Sequence, residues 1–130
     1  MTIPRSARII IPESGGQPEP HEILTAEAFI SLGRDVEFIV PSRIKGSRSP
    51  DVIIDGIAWE MKSPLGKSKK TVANALRRAV KQSNNVIVDG RRMRLSDEVI
   101  QMELVRNIHL VRTMRRLVFI AKTGEVIVLK

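Results

Sequence analysis

The chain has 130 residues, of which 42% are hydrophobic but only 3% are aromatic, so it can form one domain, spanning residues 1–130, with a mainly aliphatic core. It has no cysteine, which excludes disulfide bonds, thiolate metal sites and cysteine nucleophiles. Its apolar runs are far shorter than the ~20 residues of a membrane span. The net charge of +8 is uneven, because residues 1–65 carry a net −2 and residues 66–130 a net +10. This distribution favours a polyanionic partner, above all nucleic acid.

The pattern of apolar residues, glycines and prolines predicts a mixed α/β domain. In chain order we expect a strand or extended arm at 7–12, a helix at 21–32, a strand at 36–40, a hairpin of 52–54 and 57–61, a basic loop at 63–70, a helix at 71–83, a strand at 86–88, a helix from 97 to about 109 and a closing hairpin of 117–121 and 126–129. Ser96 is the predicted N-cap of the third helix. The strand–helix–strand stretch from 57 to 88 predicts two parallel neighbouring strands.

The most informative segment is the hairpin around Asp55-Gly56, a sequence typical of a two-residue turn. With these two residues at the turn, Val52 faces Trp59 and Asp51 faces Glu60. Directly opposed residues have Cβ atoms only ~4.5–5.5 Å apart, so two negative carboxylates lie side by side. A divalent cation with oxygen ligands would neutralise them.

Strand alternation also places Lys62 on the same face as Glu60, and Trp59 on the opposite, core-facing side. Two acids and an ammonium group form a set suited to metal-assisted hydrolysis of a phosphodiester. Asp51 and Glu60 are therefore candidate ligands of Mg²⁺ or Mn²⁺, and Lys62 is a candidate for orienting the attacking water. The alternative is a surface hairpin whose charges are simply solvated.

Pro50-Asp51 followed by Glu60-Met61-Lys62 resembles the PD-(D/E)XK motif of a nuclease superfamily. The resemblance implies an α/β fold in which a mixed β-sheet is flanked by helices, with the motif region at about 21–89. It implies that Glu22, in the first helix, joins the acidic metal site. It also implies that Gln82 assists at the site, and that the carbonyl group of Met61 adds a metal ligand. Glu27 is the alternative helix acid, but it lies about 140° further round the helix.

Within that superfamily the chain most resembles the C-terminal nuclease toxin domains of bacterial contact-dependent growth inhibition systems, including those that cut tRNA. The similar stretches are Leu-Gly-x-Asp-Val-x-Phe, Trp-Glu-x-Lys and Gln-Ser-Asn-Asn-Val-Ile-Val-Asp. The resemblance implies an endonuclease that acts in the bacterial cytoplasm and is paired with an immunity protein. It is either delivered as the tail of a larger exported protein or is a stand-alone relative.

Nucleic-acid contacts are predicted in the two basic loops on either side of the hairpin. The candidates are Arg43, Lys45 and Arg48 before it, and Lys67, Lys69 and Lys70 after it. The scarcity of aromatic residues favours recognition of shape and phosphates over base stacking. RNA is favoured as the substrate and DNA remains the alternative. A non-catalytic basic module that only binds nucleic acid is the rival from a different class.

Overall fold

The computed structural model describes residues 6–130. Within this range it contains three helices: α1 (Pro20–Ile30), α2 (Lys69–Ala79) and α3 (Asp97–Ile108). The strands are β1 (Ile9–Ile10), β2 (Val36–Phe38), β3 (Val52–Ile54), β4 (Ile57–Lys62), β5 (Asn85–Asp89), β6 (Arg116–Ile120) and β7 (Val126–Val128). The predicted mixed α/β architecture is confirmed. No helix in residues 6–130 has the length and apolar character needed to cross a bilayer.

The described strands form one seven-stranded sheet whose order in space follows their order in the chain. The pairs β2–β3 and β3–β4 are antiparallel, and the pairs β4–β5 and β5–β6 are parallel. At the two ends of the sheet, β1 pairs parallel with β2, and β7 pairs antiparallel with β6. The predicted parallel pairing of the strands on either side of α2 is confirmed, with Glu60 opposite Val86 and Lys62 opposite Val88. Strand β4 therefore has an antiparallel neighbour on one side and a parallel neighbour on the other.

Two apolar layers cover the two faces of this sheet. Helices α2 and α3 bury side chains such as Leu76 and Leu104 against Val86 and Val88 of β5. Helix α1 packs Phe29 on the other face, in a cluster that includes Trp59 of β4. Alternation along β4 thus separates Trp59 from Glu60, and the predicted core position of Trp59 is confirmed, since only 8% of it is exposed.

The predicted elements are present, and the largest error concerns α2, which we expected at 71–83. The helix starts earlier because Ser68 caps it, its hydroxyl accepting a hydrogen bond from the Lys70 backbone N–H at 3.2 Å. It ends earlier because the Ser83 hydroxyl donates to the Ala58 carbonyl at 2.8 Å, which turns the chain back towards β4. Lys69 and Lys70 therefore lie in the first turn of α2 and not in the expected loop.

A buried polar cluster fixes α1 to the carboxyl end of β5. Asp89 is only 2% exposed and accepts hydrogen bonds from the Thr25 hydroxyl at 2.8 Å and the Arg91 guanidinium at 2.7 Å. Arg91 also donates to the Leu24 carbonyl at 2.9 Å. Burial opposes ionisation of Asp89, but the hydrogen bonds from Arg91 and Thr25 outweigh it and hold the pKa of this carboxyl below its usual value.

We expect Asp89→Asn to lower the free energy of unfolding by about 2–3 kcal/mol at pH 7. This is somewhat less than for a fully buried ion pair, because Arg91 reaches solvent. The folded-state pKa is lowered, so the Asp89 contribution is complete above the unfolded-state value of about 3.9 and is lost as the pH falls through the folded value. Urea unfolding at pH 7 and pH 3 measures both effects.

Glu125→Gln is the matched control, because Glu125 is exposed and its side chain forms no hydrogen bond or ion pair with Asp89, Arg91 or Thr25. Its effect should stay within about 0.5 kcal/mol at both pH values. A destabilisation by Asp89→Asn that is equally large at pH 3 would contradict the proposed role of the Asp89 charge.

Candidate functional site

The hairpin of β3 and β4 has the register that the sequence predicts. Asp55 and Gly56 both have positive φ, at 52° and 77°, as a type I′ turn requires. Val52 lies opposite Trp59 and Ile54 opposite Ile57. One residue further from the turn, Asp51 therefore lies across from Glu60. Asp55 is the turn residue expected, and its carboxylate is 3.6 Å from Arg34, away from Glu60.

Asp51 is held in place by three hydrogen bonds. Its backbone N–H donates to the Trp59 carbonyl at 2.9 Å, and its carbonyl accepts from Ile39 at 2.9 Å. Its carboxylate oxygen Oδ2 accepts from the Met61 backbone N–H at 2.8 Å. These bonds fix the Asp51 carboxylate beside β4, because they involve both neighbouring strands.

Glu60 is a buried acid with incomplete hydrogen bonding. It is 6% exposed, and among the described residues no group hydrogen-bonds its buried oxygen Oε1. Its other oxygen lies 3.5 Å from Nζ of Lys62. Burial, and then the negative charge of Asp51, raise the pKa of Glu60 well above its ordinary value, although Lys62 partly offsets both. The pair of acids is thus destabilised in the absence of a further positive group.

A cavity of about 150 Å³ opens at this point, at the carboxyl end of β4. The structure brings four of the predicted catalytic residues to its wall: Glu22, Asp51, Glu60 and Lys62. Glu22 reaches it from the first turn of α1. The alternative acid Glu27 is exposed and does not line the cavity. A second small cavity, between α1 and residues 12–18, is also bordered by Glu22 and Asp51.

The acids of the cavity suit a small divalent cation held by two carboxylates. Mg²⁺ typically binds through one or two carboxylates and keeps several waters. The opposed Asp51 and Glu60, with the unpaired Glu60 Oε1, fit that description. In the described part of the chain no group of three acidic or histidine side chains is close enough to hold a metal. Glu22 instead accepts a hydrogen bond from the Glu19 backbone N–H at 2.9 Å, so it faces its own helix end.

Gln82 is the predicted catalytic residue that the structure does not bring to the cavity. It lies beyond the end of α2, and its side-chain oxygen accepts from the Ser49 backbone N–H at 2.7 Å. Ser49 is two residues before Asp51. In this arrangement Gln82 positions the chain that leads into the Asp51 strand.

The six predicted nucleic-acid contacts fall into two groups. Arg43, Lys45, Lys67, Lys69 and Lys70 are exposed. Arg48 is also exposed, but it donates hydrogen bonds to the Val80 carbonyl at 3.1 Å and to the Asn84 side chain at 2.9 Å. Arg48 thus ties the first basic loop to the end of α2, a structural role that its position in the sequence did not indicate.

Three further residues line the cavity and were not selected as site residues from the sequence: His21, Thr25 and Ser63. Thr25 lies three residues after Glu22 and four residues after His21 on α1, and this helical spacing is the signal that could have found Thr25. Ser63 directly follows Lys62. Their polar side chains extend the set of hydrogen-bonding groups around the two acids.

The fold and the site together define an α/β domain with a cavity of carboxylates and a lysine at the carboxyl end of its central strand, β4. Residues 48–126 match the family model described as "Contact-dependent growth inhibition CdiA C-terminal domain". Since this match covers more than half of the chain, the chain belongs to that family and is a bacterial growth-inhibition toxin domain.

A solved structure, the "CdiA-CT/CdiI toxin and immunity complex from Burkholderia pseudomallei", contains a chain of similar fold. The superposition has a TM-score of 0.69 at 18% sequence identity, and covers 92% of this chain and 98% of the other. At this identity the likeness concerns the fold alone. No curated protein sequence is significantly similar to this chain.

In a buffer at pH 9 and free of divalent metal, above the raised pKa of about 8 for Glu60, we expect Glu60→Gln to raise the free energy of unfolding by about 0.5–2 kcal/mol. The substitution keeps the side-chain shape and removes the buried repulsion with Asp51. Lys62→Met should have the opposite effect, because it removes the positive charge that offsets this repulsion. Chemical denaturation of the three proteins in EDTA measures both changes, and a loss of stability in Glu60→Gln would contradict the repulsion.

Proposed function

We propose that this toxin domain is a metal-dependent endonuclease that hydrolyses phosphodiester bonds of RNA, with tRNA as the favoured substrate. The observation that carries the proposal is the buried Glu60, opposed to Asp51 and 3.5 Å from Lys62, at the wall of an open cavity. A surface hairpin with solvated charges would have no reason to bury an acid beside another acid. Such destabilised charge clusters are typical of functional sites.

Asp51 and Glu60 would hold the metal, Mg²⁺ or Mn²⁺, through their carboxylate oxygens. When bound, the cation would neutralise charge on the phosphate and lower the pKa of a bound water. The backbone carbonyl of Met61 is a further proposed ligand, as the resemblance to PD-(D/E)XK nucleases implies. Glu22, at the same cavity, would act through water, because its carboxylate already accepts the Glu19 N–H.

Lys62 would orient the attacking water or bind a phosphate oxygen. Its ammonium group is placed by the Glu60 carboxylate and remains 29% exposed, so it can reach a substrate in the cavity. It offsets negative charge as the water oxygen bonds to phosphorus and the phosphorus–oxygen bond to the leaving group breaks. Gln82 would act on Asp51 from a distance, through its hydrogen bond to Ser49.

The burial of the aromatic residues supports recognition by phosphates and shape. The chain has three phenylalanines, one tryptophan and no tyrosine, and Phe29, Phe38, Trp59 and Phe119 are each at most 8% exposed. None of them can stack on an unpaired base. A folded RNA or a duplex fits this surface better than a flexible single strand. The resemblance to tRNA-cutting toxin domains favours RNA.

The partners proposed with this activity are nucleic acid and a cognate immunity protein. The structural neighbour is by its title a complex of a toxin with an immunity protein, which supports the second partner. The family match supports delivery from a larger CdiA protein into another cell. Action in the cytoplasm of that cell follows from the proposed RNA substrate.

We expect the wild-type domain to cut tRNA in Mg²⁺ or Mn²⁺, and Glu60→Gln to lower the rate at least ~10³-fold. The reason is that the substitution removes both a metal ligand and the charge that positions Lys62. Total tRNA and plasmid DNA would be incubated side by side and analysed by gel electrophoresis, with EDTA as the blank.

Glu27→Gln makes the same charge change on the exposed side of α1 and should cut at the wild-type rate. Cleavage of plasmid DNA but not of tRNA would show that the substrate is DNA and not RNA. Folded wild-type protein that binds RNA but cuts neither substrate would make a non-catalytic binding module the better account.

Saturating Mn²⁺ should raise the thermal midpoint of the wild-type protein by about 5 °C or more, because a metal at 100 times its Kd adds about 2.7 kcal/mol. Glu60→Gln should lose most of this shift, since one of its two carboxylates is gone. Differential scanning calorimetry at constant ionic strength, with NaCl replacing MnCl₂ in the control, separates binding from screening. An equal shift in both proteins would show that Mn²⁺ binds elsewhere.

A further inference from the structure

A further cavity, different from the two described above, begins next to Lys62. Its volume is about 380 Å³, within the range of about 300–1,000 Å³ typical of small-ligand sites. One wall is the segment that continues from β4, Ser63-Pro64-Leu65, and the other is helix α2. Lys62 lines both this cavity and the cavity of Asp51 and Glu60, which we call the carboxylate cavity. The two are therefore neighbours that share one ammonium group.

The helical wall presents polar groups at a regular spacing. Thr71, Asn74 and Arg78 line the cavity at intervals of three and four residues, which places them on one face of α2. Within the described part of the chain, the side chains of Asn74 and Arg78 make no hydrogen bond or ion pair. Asn74 is half-buried and Arg78 is exposed, so both side chains are free to bind a ligand that enters the cleft.

The charge around this cavity is positive. Arg78 and Lys62 supply two cations to its wall, and none of the residues within 6–130 that line it is acidic. Helix α2 also has no acidic residue in its first turn, where Lys69 and Lys70 lie beside the positive end of the helix dipole. An arrangement that does not compensate the dipole is unfavourable in the free protein and favourable with an anion nearby.

The wall formed by the segment after β4 is partly apolar. Leu65 is 60% exposed, and it lines the cavity together with Pro64 and the polar Ser63. A ligand that fits must therefore carry an anionic group for the two cations, hydroxyl or amide groups for Thr71 and Asn74, and a less polar face for Leu65. A nucleotide unit has all three: a phosphate, a sugar with hydroxyl groups, and the flat surface of the sugar and base.

We propose that this cavity is a subsite for the nucleotide adjacent to the scissile phosphate, with Arg78 binding its phosphate and Asn74 its sugar. The proposal rests on the nuclease function in naming the scissile phosphate, because the shared residue is Lys62. It assigns a binding role to helix α2 that the motif residues do not include. It also explains how a chain without exposed Phe, Tyr or Trp can hold its substrate in register at the carboxylate cavity.

The test uses adenosine 5′-monophosphate as the probe and the intact domain in EDTA, so that binding is measured without cleavage. Titration followed by two-dimensional ¹H–¹⁵N NMR should shift the amide signals of residues 62, 63, 65 and 71–78. Arg78→Ala should weaken binding about fivefold or more, because a charge-assisted hydrogen bond to phosphate is lost. Arg77→Ala is the matched control. Arg77 is the adjacent residue on the same helix and is also exposed, but it does not line the cavity, and its substitution removes the same charge.

Cleavage of tRNA by the same variants gives the second readout. Arg78→Ala should raise KM about fivefold or more, whereas Arg77→Ala should stay within about twofold of wild type. Asn74→Leu, which fills the cavity with an apolar side chain, should weaken both binding and cleavage. Circular dichroism of each variant confirms that α2 is intact.

The outcomes separate the two proposals. If the wild type cuts tRNA but Arg78→Ala and Arg77→Ala behave alike in both readouts, the subsite is wrong and the nuclease function stands. If no nucleic acid is cut but adenosine 5′-monophosphate binds with the expected loss in Arg78→Ala, the nuclease function is wrong and the nucleotide site stands. Binding of inorganic phosphate as tight as that of the nucleotide would overturn the role given to Asn74 and the sugar.

Discussion

The opposition of Asp51 and Glu60 depends on the two-residue turn between β3 and β4. Because Asp55 and Gly56 both take positive φ, the strands pair without an inserted residue, and three residues on each side are paired, with Asp51 and Glu60 at the next position. A shift of one residue would turn Glu60 to the face of Trp59 and expose the core residues. The apolar packing of Trp59 against α1 therefore holds the two acids together against their repulsion. The stability of the core maintains a cluster of charges that is itself unfavourable.

Strand β4 also lies between an antiparallel neighbour, β3, and a parallel neighbour, β5. The hairpin with β3 supplies Asp51, and the parallel pairing of β4 with β5 brings the start of the next strand and the end of α2 to its side. Helix α1 is fixed to the same edge by the Thr25–Asp89 hydrogen bond, which brings Glu22 to the cavity. The matched family segment begins at residue 48 and so includes Asp51, Glu60 and Lys62, but not α1. Glu22 is thus supplied by a part of the chain outside the segment that defines the family.

The sequence was sufficient to predict the elements and the pair of acids, because both depend on local signals. Strand alternation and an Asp-Gly turn are enough to place Asp51 across from Glu60. The resemblance to the nuclease motif pointed to Glu22, and helical spacing argued against Glu27 reaching the same site. Residues whose roles depend on where an element ends were harder to predict from the sequence. Gln82 was expected on α2 and facing the site, but the Ser83–Ala58 hydrogen bond ends the helix before it. Arg48 was expected to contact nucleic acid, yet its side chain donates a hydrogen bond to the Val80 carbonyl at the end of α2, 32 residues away in the chain.

The two cavities that share Lys62 differ in charge, and each is suited to a ligand of the opposite sign. On one side, acids without enough positive charge form a site that favours a cation; on the other, cations without acids form a site that favours an anion. Each is unfavourable alone, and a ligand made of a metal and a phosphodiester would relieve both. Because Lys62 belongs to both cavities, its ammonium group sits where the two kinds of ligand would meet. With the proposed nuclease function, binding of the metal and of the nucleic acid would therefore be interdependent, and the protein would be stabilised most when both are present.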